Sequence, residues 1–430
     1  MSKRNDYDYF DLDNFDDSYD SRDYRRRQPQ RRQGSYNNRP AYNTNRRRRN
    51  NKKRTRNRII IVSCGILIII LLVIMISSVF KGCFGTKQTN APVSTETKPV
   101  ATADTPKAND KKTETQEDDL SPAYFKTPQI KDDKSDGYSA YSIYVWNKQG
   151  FELFGSDEAR ATTYAETING FADKLNGITV YDMVIPNHTE MGLPQRLKDS
   201  DAPSTSQAEN IKSIYSKLSD KVTPVNAYNY LADHNDEYIY FGSDHHWSGL
   251  GAYYAYSAFA KTNNLPVLSL DDCTEQQIEG FTGTFTNTAS GLATDTVHYW
   301  EFPYEVTMDI TDESGNLNTY TSPYYQYAEA GSLTYGVFIM GDHPLTVLKS
   351  SSENAEEGKK IAVIKESYGN AFVPYLTYNY EEVHVIDFRT FGDNLVSYCQ
   401  QNGIDEVLFL NGVMSANTQI QLDSMSVLFD

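Results

Sequence analysis

The most prominent hydrophobic feature of the chain is an uninterrupted apolar run at residues 59–80, IIIVSCGILIIILLVIMISSVF. Its 22 residues carry no charge, and at about 1.5 Å of helical rise per residue they cross a hydrocarbon core about 30 Å thick. The run is longer than the apolar segment of a signal peptide and starts further from the N-terminus. The pattern therefore predicts one uncleaved transmembrane helix.

From residue 137 to residue 430 the apolar positions alternate between helical and strand periods. Residues 156–175 start with a serine and early acids and place Tyr164, Ile168 and Phe171 at helical spacing, which predicts a helix. The same reasoning predicts strands at 141–146, 178–186 and 222–225 and a helix at 207–218.

The last seventy residues have the most regular pattern. Strand-like segments alternate with helix-like ones, at 360–364, 367–376, 382–388, 392–402 and 406–411. Strands connected through helices at this spacing form right-handed crossovers and a parallel sheet. The pattern therefore predicts an α/β domain with a mainly parallel sheet flanked by helices.

Residues 278–345 interrupt this alternation. They are rich in Thr, Tyr and Gly, and residues 312–320 (DESGNLNTY) are typical of a hairpin turn. We interpret them as a β-rich insertion near the carboxyl edge of the sheet, where active-site loops gather.

Charge divides the chain further. The whole chain has 41 basic and 57 acidic residues. Residues 1–58 hold 18 of the basic and 8 of the acidic ones, a charge of +10 that leaves −26 beyond them. The positive-inside rule then predicts a cytoplasmic N-terminus and an extracellular C-terminal part. The predicted organisation is a disordered basic tail (1–58), the membrane helix (59–80), a flexible stalk poor in large apolar groups (81–136) and a globular domain (137–430).

The basic tail allows two interpretations. Arginine-rich segments bind nucleic acid by neutralising phosphates, but a basic cluster beside a membrane helix is typical of binding to anionic lipid headgroups. We favour membrane lipids as its partner and expect no nucleic acid.

The four cysteines indicate neither a disulfide framework nor a zinc site. Cys64 lies in the apolar run and Cys83 just beyond it, which leaves Cys273 and Cys399 for the globular part. No Cys-x-x-Cys motif is present, and the sequence leaves open whether Cys273 and Cys399 pair.

Ser367 lies where a predicted buried strand ends and a helix begins, in IAVIKESYGNAFVPYL. Such a turn can present a serine hydroxyl at the carboxyl edge of a sheet, with helix N-terminal amides near a developing oxyanion. The alternative is that Ser367 only caps the helix, a role serine often has.

A base for Ser367 is available in SDHHWSGLG, where Asp244 and His246 are two residues apart. An aspartate that accepts from one imidazole nitrogen leaves the other free to take a serine proton. Two alternatives remain open from the residues alone: polar residues at the edge of the core, or a metal site that includes His245.

Together, SDHHWSGLGAYYAY and KESYGNAFVPYL resemble the bacterial DHHW protein family, a branch of the alginate O-acetyltransferase-like group whose catalytic domains are similar to SGNH hydrolases. The resemblance covers most of residues 140–430 and implies an SGNH hydrolase-like, flavodoxin-like fold. It implies that Asp244 orients His246, that His246 is the base and that Ser367 is the nucleophile.

The chain departs from that group at the nucleophile, where Lys365-Glu366-Ser367 replaces the usual Gly-Asp-Ser. Oxyanion donors are also less obvious, and we name Asn370 and Asn411 as candidates. His245 is a candidate substrate contact, since it occupies the variable position of the motif.

Two further segments offer secondary candidates. Asp342 and His343 are candidates to line the cleft. Arg389 could hold a substrate carboxylate bidentately, although pairing with Asp387 is the favoured interpretation.

From the resemblance we expect a cell-surface serine-dependent O-acyltransferase, with acetyl as the expected group, that acts on a cell-envelope polysaccharide through an acyl-serine. A membrane-bound O-acyltransferase is an expected partner, no cofactor or metal is expected, and the cell membrane of a Gram-positive bacterium is the expected location. A carbohydrate esterase of the same fold and a non-catalytic glycan-binding surface module are the alternatives.

Overall fold

The structure is a computed structural model that describes residues 119–312 and 315–429. The predicted basic tail, the predicted membrane helix at 59–80 and most of the predicted stalk lie outside the described residues, so they stay predictions. Within the described part of the chain, every helix is too short or too polar to cross a membrane.

One mixed sheet of eight strands forms the centre of the domain. Five strands are parallel and three continue the sheet at one edge as antiparallel neighbours. In spatial order they are β5 (Val222–Pro224), β4 (Thr179–Ile185), β13 (Glu406–Gly412), β11 (Glu356–Lys365), β12 (Tyr380–Asp387), β10 (Leu345–Ser350), β8 (Val306–Thr311) and β9 (Leu317–Tyr320). The prediction that 360–364, 382–388 and 406–411 form parallel strands is confirmed.

Two smaller sheets accompany the large one. The first comprises β1 (Tyr138–Ala140), β2 (Ile143–Trp146) and β3 (Gln149–Glu152), and the second is the hairpin of β6 (Thr274–Phe281) and β7 (Asp295–Glu301). The predicted β-rich insertion therefore divides, because β6 and β7 form a separate hairpin while β8, β9 and β10 extend the main sheet.

The four helices predicted at 156–175, 207–218, 367–376 and 392–402 are confirmed, with ends that differ by up to three residues. In chain order the described helices are α1 (Glu158–Lys174), α2 (His188–Gly192), α3 (Gln195–Lys198), α4 (Gln207–Tyr215), α5 (Ala227–Asp233), α6 (Gly249–Thr262), α7 (Gly369–Leu376), α8 (Leu395–Asn402), α9 (Val413–Ala416) and α10 (Gln419–Ser426). The side chain of Asp157 accepts from two free amides at the start of α1, which explains where that helix begins.

Helices cover both faces of the sheet. Adjacent residues of a strand point to opposite faces. On β4, Tyr181 packs edge-on against Phe259 of α6, while Asp182 accepts from the hydroxyl of Tyr164 on α1. The strands between these helices are therefore buried on both faces, as in β13, where every residue is buried.

The folded part begins earlier in the chain than predicted. Residues 119–136, assigned to the stalk from composition, lie against the domain. The amide nitrogen of Asn229 donates to the carbonyl of Tyr124, and the ring of Phe125 packs edge-on against Tyr228 at 5.2 Å. A polar segment is held here mainly through its backbone carbonyls, which composition does not reveal.

The two cysteines of the described residues are not paired. Cys399 is buried in α8 and Cys273 is half-buried before β6, and both are free thiols.

Candidate active site

Ser367 lies in the turn between β11 and α7, at the carboxyl end of a central parallel strand. Its neighbours Glu366 and Tyr368 are buried, whereas Ser367 itself is half-buried. Its side chain does not cap α7, because the cap position is Tyr368 and makes no side-chain cap bond. The serine hydroxyl is therefore accessible and free of the capping role that was the alternative interpretation.

The hydroxyl of Ser367 contacts His246, just before α6. Oγ of Ser367 lies 2.7 Å from Nε2 of His246, and Nδ1 of His246 lies 2.6 Å from Oδ1 of Asp244. An ionised carboxylate only accepts, so Nδ1 carries the proton and Nε2 is left to accept from the serine. The structure thus brings together the three residues to which the sequence assigned a relay.

Asp244 is fixed by four donors. Oδ1 also accepts from the backbone N–H of His246 at 3.0 Å, and Oδ2 accepts from the backbone N–H and the hydroxyl of Thr284 at 2.8 and 3.0 Å. Burial alone would raise the pKa of Asp244, but the imidazoles of His245 and His246 and these hydrogen bonds hold it well below its ordinary range. Asp244 is therefore a permanent anion beside His246.

His246 is buried, and burial is the main cause that lowers its pKa. The nearby His245 lowers the pKa further, and the carboxylate of Asp244 only partly offsets both effects. His246 is therefore neutral near pH 7 and competent as a base.

Glu366 holds the turn that carries the serine. Its Oε1 accepts from the N–H of Gly412 at 2.8 Å, and its Oε2 accepts from the N–H of Tyr368 at 3.0 Å. Oε2 is also 3.2 Å from Oγ of Ser367. The carboxylate thus ties the end of β11 to the end of β13, and it occupies the position where the related group has an aspartate.

Tyr368 and Trp247 join the serine turn to the histidine segment. The indole N–H of Trp247 donates to the carbonyl of Tyr368 at 2.9 Å, and the hydroxyl of Tyr368 donates to the carbonyl of His245. Trp247 is fully buried. These two bonds keep the two segments at a fixed separation.

Behind the serine turn lies a network of buried charges. The amine of Lys365, which is 0% exposed, donates to Asp342 at 2.7 Å and to Asp387 at 3.2 Å. The guanidinium of Arg389 is bound by the same two carboxylates, at 2.7 and 2.6 Å. Arg389 therefore pairs within the protein, as the favoured interpretation had it, and is not directed at a substrate carboxylate.

The two asparagines named as oxyanion donors have other partners. Nδ2 of Asn370 donates to Asp342 at 2.9 Å, and Nδ2 of Asn411, fully buried, donates to the hydroxyl of Tyr164 at 3.0 Å. The structure thus does not bring Asn411 to the serine, because its side chain points to the sheet face covered by α1.

His245 is half-buried and stands beside the relay. Its Nδ1 is 3.0 Å from the hydroxyl of Thr284. One ligand atom each from Asp244, His245 and His246 lies within 4.8 Å of the others, close enough to hold a metal ion. Both oxygens of Asp244 already accept hydrogen bonds from His246 and Thr284, however, so this donor set fits a proton relay better than a metal centre.

Sequence reasoning assigned no role to three residues of the site: Thr284, Glu366 and Tyr335, whose ring is stacked on that of His246 with the centroids 4.0 Å apart. Thr284 and Tyr335 belong to the β-rich insertion and follow no motif, so nothing local indicated them. Glu366 carried a signal, since an acidic residue precedes the nucleophile in the related group too.

Comparisons with known proteins find a matching family model and solved structures of similar fold. A family model described as DHHW protein matches residues 116–386. No protein with a curated description matches the sequence.

Solved proteins of similar fold include the following two. A DHHW family protein from Eubacterium siraeum is 29% identical with a TM-score of 0.62, over 69% of this chain and 99% of that chain. Bacillus cereus PatB1, solved with a sulfonyl adduct, is 20% identical with a TM-score of 0.56, over 67% of this chain and 98% of that chain. A second PatB1 structure is 21% identical with the same TM-score of 0.56, over 65% of this chain and 98% of that chain.

Proposed function

The chain belongs to the DHHW protein family, and from its site we propose that it is a serine-dependent O-acyltransferase that acetylates hydroxyl groups of a cell-envelope polysaccharide. One observation carries the proposal: Asp244, His246 and Ser367 form a continuous chain of two short hydrogen bonds, 2.6 and 2.7 Å long. The resemblance to the alginate O-acetyltransferase-like group supports acetyl as the acyl group.

In the first half of the proposed reaction, Oγ of Ser367 attacks the carbonyl carbon of an acyl donor while its proton moves to Nε2 of His246. Asp244 stabilises the imidazolium that forms. The tetrahedral intermediate then collapses, the bond to the leaving group breaks, and His246 returns its proton to that group. The product is an acyl-serine at residue 367.

The second half runs the same steps with a sugar hydroxyl. That hydroxyl gives its proton to His246 and attacks the acyl-serine, and Ser367 regains a proton as it leaves. Among the hydrogen bonds of the described residues, none uses the N–H of Ser367. Because this N–H belongs to the turn that carries Oγ, we assign it as an oxyanion donor.

The proposed location and partners are supported by features of the sequence. The apolar run at 59–80 and the basic segment before it support a single-pass anchor with the domain outside the cell. An acyl-group-supplying membrane-bound O-acyltransferase fits such an anchored domain as a partner, and the basic tail fits anionic lipid headgroups.

The test uses the full chain in detergent with 4-nitrophenyl acetate. We expect release of 4-nitrophenol that is lost in Ser367→Ala and His246→Ala and kept in Ser397→Ala, an exposed serine of α8. Equal rates in the first two variants and the wild type would overturn the proposal and favour the glycan-binding module.

Transfer and hydrolysis are separated by adding a cell-wall oligosaccharide acceptor and analysing products by mass spectrometry. A transferase gives an acetylated oligosaccharide at the expense of free acetate. In a second incubation the substrate is an oligosaccharide that is already acetylated. If the protein only releases free acetate from it and never acetylates the acceptor, the protein is an esterase. In cells, replacing Ser367 should lower the acetylation of the wall polymer.

A further inference from the structure

We propose that Tyr335 is a positioning residue that fixes both the base and the nucleophile of the relay. The inference rests on the proposed function, because it concerns the same reaction. Tyr335 belongs to the 3-10 turn Thr334–Val337 in the β-rich insertion, a region with no recognisable motif.

The ring of Tyr335 holds the base. It is stacked on the imidazole of His246 with the ring centroids 4.0 Å apart and the planes 8° from parallel. His245 lies against His246 as well, at 3.8 Å and 37°. A ring packed in this way cannot swing about its Cβ–Cγ bond, so Nε2 of His246 stays directed at Ser367.

The hydroxyl of Tyr335 holds the nucleophile's backbone. It donates to the carbonyl oxygen of Ser367 at 3.1 Å. The phenol therefore fixes the main chain that carries Oγ.

The surroundings of Tyr335 make it a rigid support. Tyr335 is 8% exposed, and its ring makes edge-to-face contacts with Phe338 and Phe241, with centroids 5.3 and 6.2 Å apart. The turn itself is held by the hydroxyl of Thr334, which donates to the carbonyls of Glu329 and Gly331. Burial and the nearby carboxylates, Asp244 first, raise the pKa of Tyr335 well above its ordinary range, so the hydroxyl keeps the proton that it donates.

Tyr335 thus contacts both partners of the 2.7 Å bond between His246 and Ser367, in addition to the bonds that join their two segments. Misplacing catalytic groups by about 1 Å can cost about 100-fold in rate. The loss should fall on kcat and leave KM nearly unchanged, because Tyr335 acts on the reacting groups and not on substrate binding.

The test compares Tyr335→Leu, which removes ring and hydroxyl, with Tyr335→Phe, which removes only the hydroxyl. Tyr324→Leu is the matched control, because Tyr324 lies in the same insertion, is equally buried at 6% and packs on Phe338 without contacting the relay. The readouts are kcat and KM with 4-nitrophenyl acetate, and the rate of sulfonylation of Ser367 by phenylmethylsulfonyl fluoride.

We expect Tyr335→Leu to lose about 10- to 100-fold in kcat and Tyr335→Phe about 2- to 10-fold, the range for one neutral hydrogen bond. Sulfonylation should slow in the same order. Tyr324→Leu should melt earlier but keep the wild-type kcat.

The proposal is overturned if Tyr335→Leu has the same kcat as Tyr324→Leu, or if Tyr335→Phe is as slow as Tyr335→Leu. Near-ultraviolet circular dichroism shows whether Tyr335→Leu folds. If it does not fold, a wild-type kcat in Tyr335→Phe is sufficient by itself to overturn the proposal. The two failures are distinguishable. If Ser367→Ala is as active as the wild type, the proposed function fails, whereas an inactive Ser367→Ala beside an unaffected Tyr335→Leu refutes only the role of Tyr335.

Discussion

Nε2 of His246 lies 2.7 Å from Oγ of Ser367, although 121 residues separate them in the chain. His246 precedes helix α6, and Ser367 follows strand β11. The contact is maintained by Tyr368 and Trp247, whose hydrogen bonds hold the two segments together, while Glu366 fixes the turn that carries the serine.

Replacing Asp244 with asparagine should nearly abolish turnover. The asparagine amide is neutral, so it cannot stabilise the imidazolium of His246. It also has only one acceptor oxygen in place of two, so the tautomer of His246 with the proton on Nδ1 is no longer fixed. By analogy with serine triads, we expect kcat/KM to fall about 10³- to 10⁴-fold. Asp173→Asn, an exposed position on α1, is the control, and an Asp244→Asn enzyme within a few-fold of it would contradict the assigned role.

The pH dependence of kcat/KM should show an acid limb below the ordinary histidine pKa of about 6.5. His246 must be neutral to accept a proton, and burial and His245 lower its pKa. Activity therefore persists to a lower pH than for an exposed histidine and is lost as the pH falls through the pKa of His246. In His245→Gln one of the lowering causes is gone, so the limb should move to higher pH. A limb unchanged or lower in that variant would refute the coupling.

Thr284→Val should slow the reaction without unfolding the protein. The substitution keeps the shape and the backbone N–H, but it removes the hydroxyl that donates to Oδ2 of Asp244 at 3.0 Å. A hydrogen bond to a charged group contributes about 1.5–3 kcal/mol, so we expect kcat/KM to fall about 10- to 150-fold. Thr286→Val is the matched control, since the hydroxyl of Thr286 donates to the carbonyl of Gly283 and not to the relay. Equal rates for the two variants would remove Thr284 from the site.

Asp182→Asn should stabilise the protein at alkaline pH. Asp182 is fully buried on β4, and burial raises its pKa to about 7, against about 3.9 in an unfolded chain. Between these values the folded state holds a proton that the unfolded state has released, so wild-type stability falls as the pH rises from about 4 to about 7. Asparagine has no such cost, and its oxygen can still accept from the hydroxyl of Tyr164.

Thermal melting of the wild type and Asp182→Asn at pH 5 and pH 8 checks this. The variant should melt higher than the wild type at the upper pH, and the difference should shrink at the lower pH. If the variant melted lower than the wild type by the same margin at both pH values, the Asp182 carboxylate would be ionised in the folded state and would stabilise it.

Lys365→Met should be strongly destabilising. After the change, Arg389 is the one cation of the network that pairs with the carboxylates of Asp342 and Asp387. The side chain of Asp387 is 0% exposed, so water cannot replace the lost amine. Removing one partner of a buried ion pair costs about 3–5 kcal/mol. Lys349→Met, which breaks the half-exposed pair with Asp309, should cost about 1 kcal/mol or less. Urea unfolding measures both, and equal losses would show that the network is not held together by Lys365.

The regular elements of the fold were predictable because they depend on local periodicity. Helix α1 was predicted at 156–175 and lies at Glu158–Lys174, and the last three parallel strands lie where the alternation of segments put them. The start of the folded part was not predictable from composition, because residues 119–136 are held by hydrogen bonds from buried asparagines to their carbonyls.

By itself the sequence determined which residues had the chemistry for a relay. Asp244 and His246 are two residues apart in one motif, and Ser367 follows a strand that is apolar enough to be buried, so their types and local positions were sufficient. Only the tertiary structure decided what surrounds them. Thr284 and Tyr335 reach the relay from an insertion folded over the sheet edge, Arg389 turns to Asp342 and Asp387, and Asn411 points to the opposite face. Such contacts depend on the order of the strands in the sheet and on the sheet face to which each side chain points. Neither property can be predicted from the local spacing of residues.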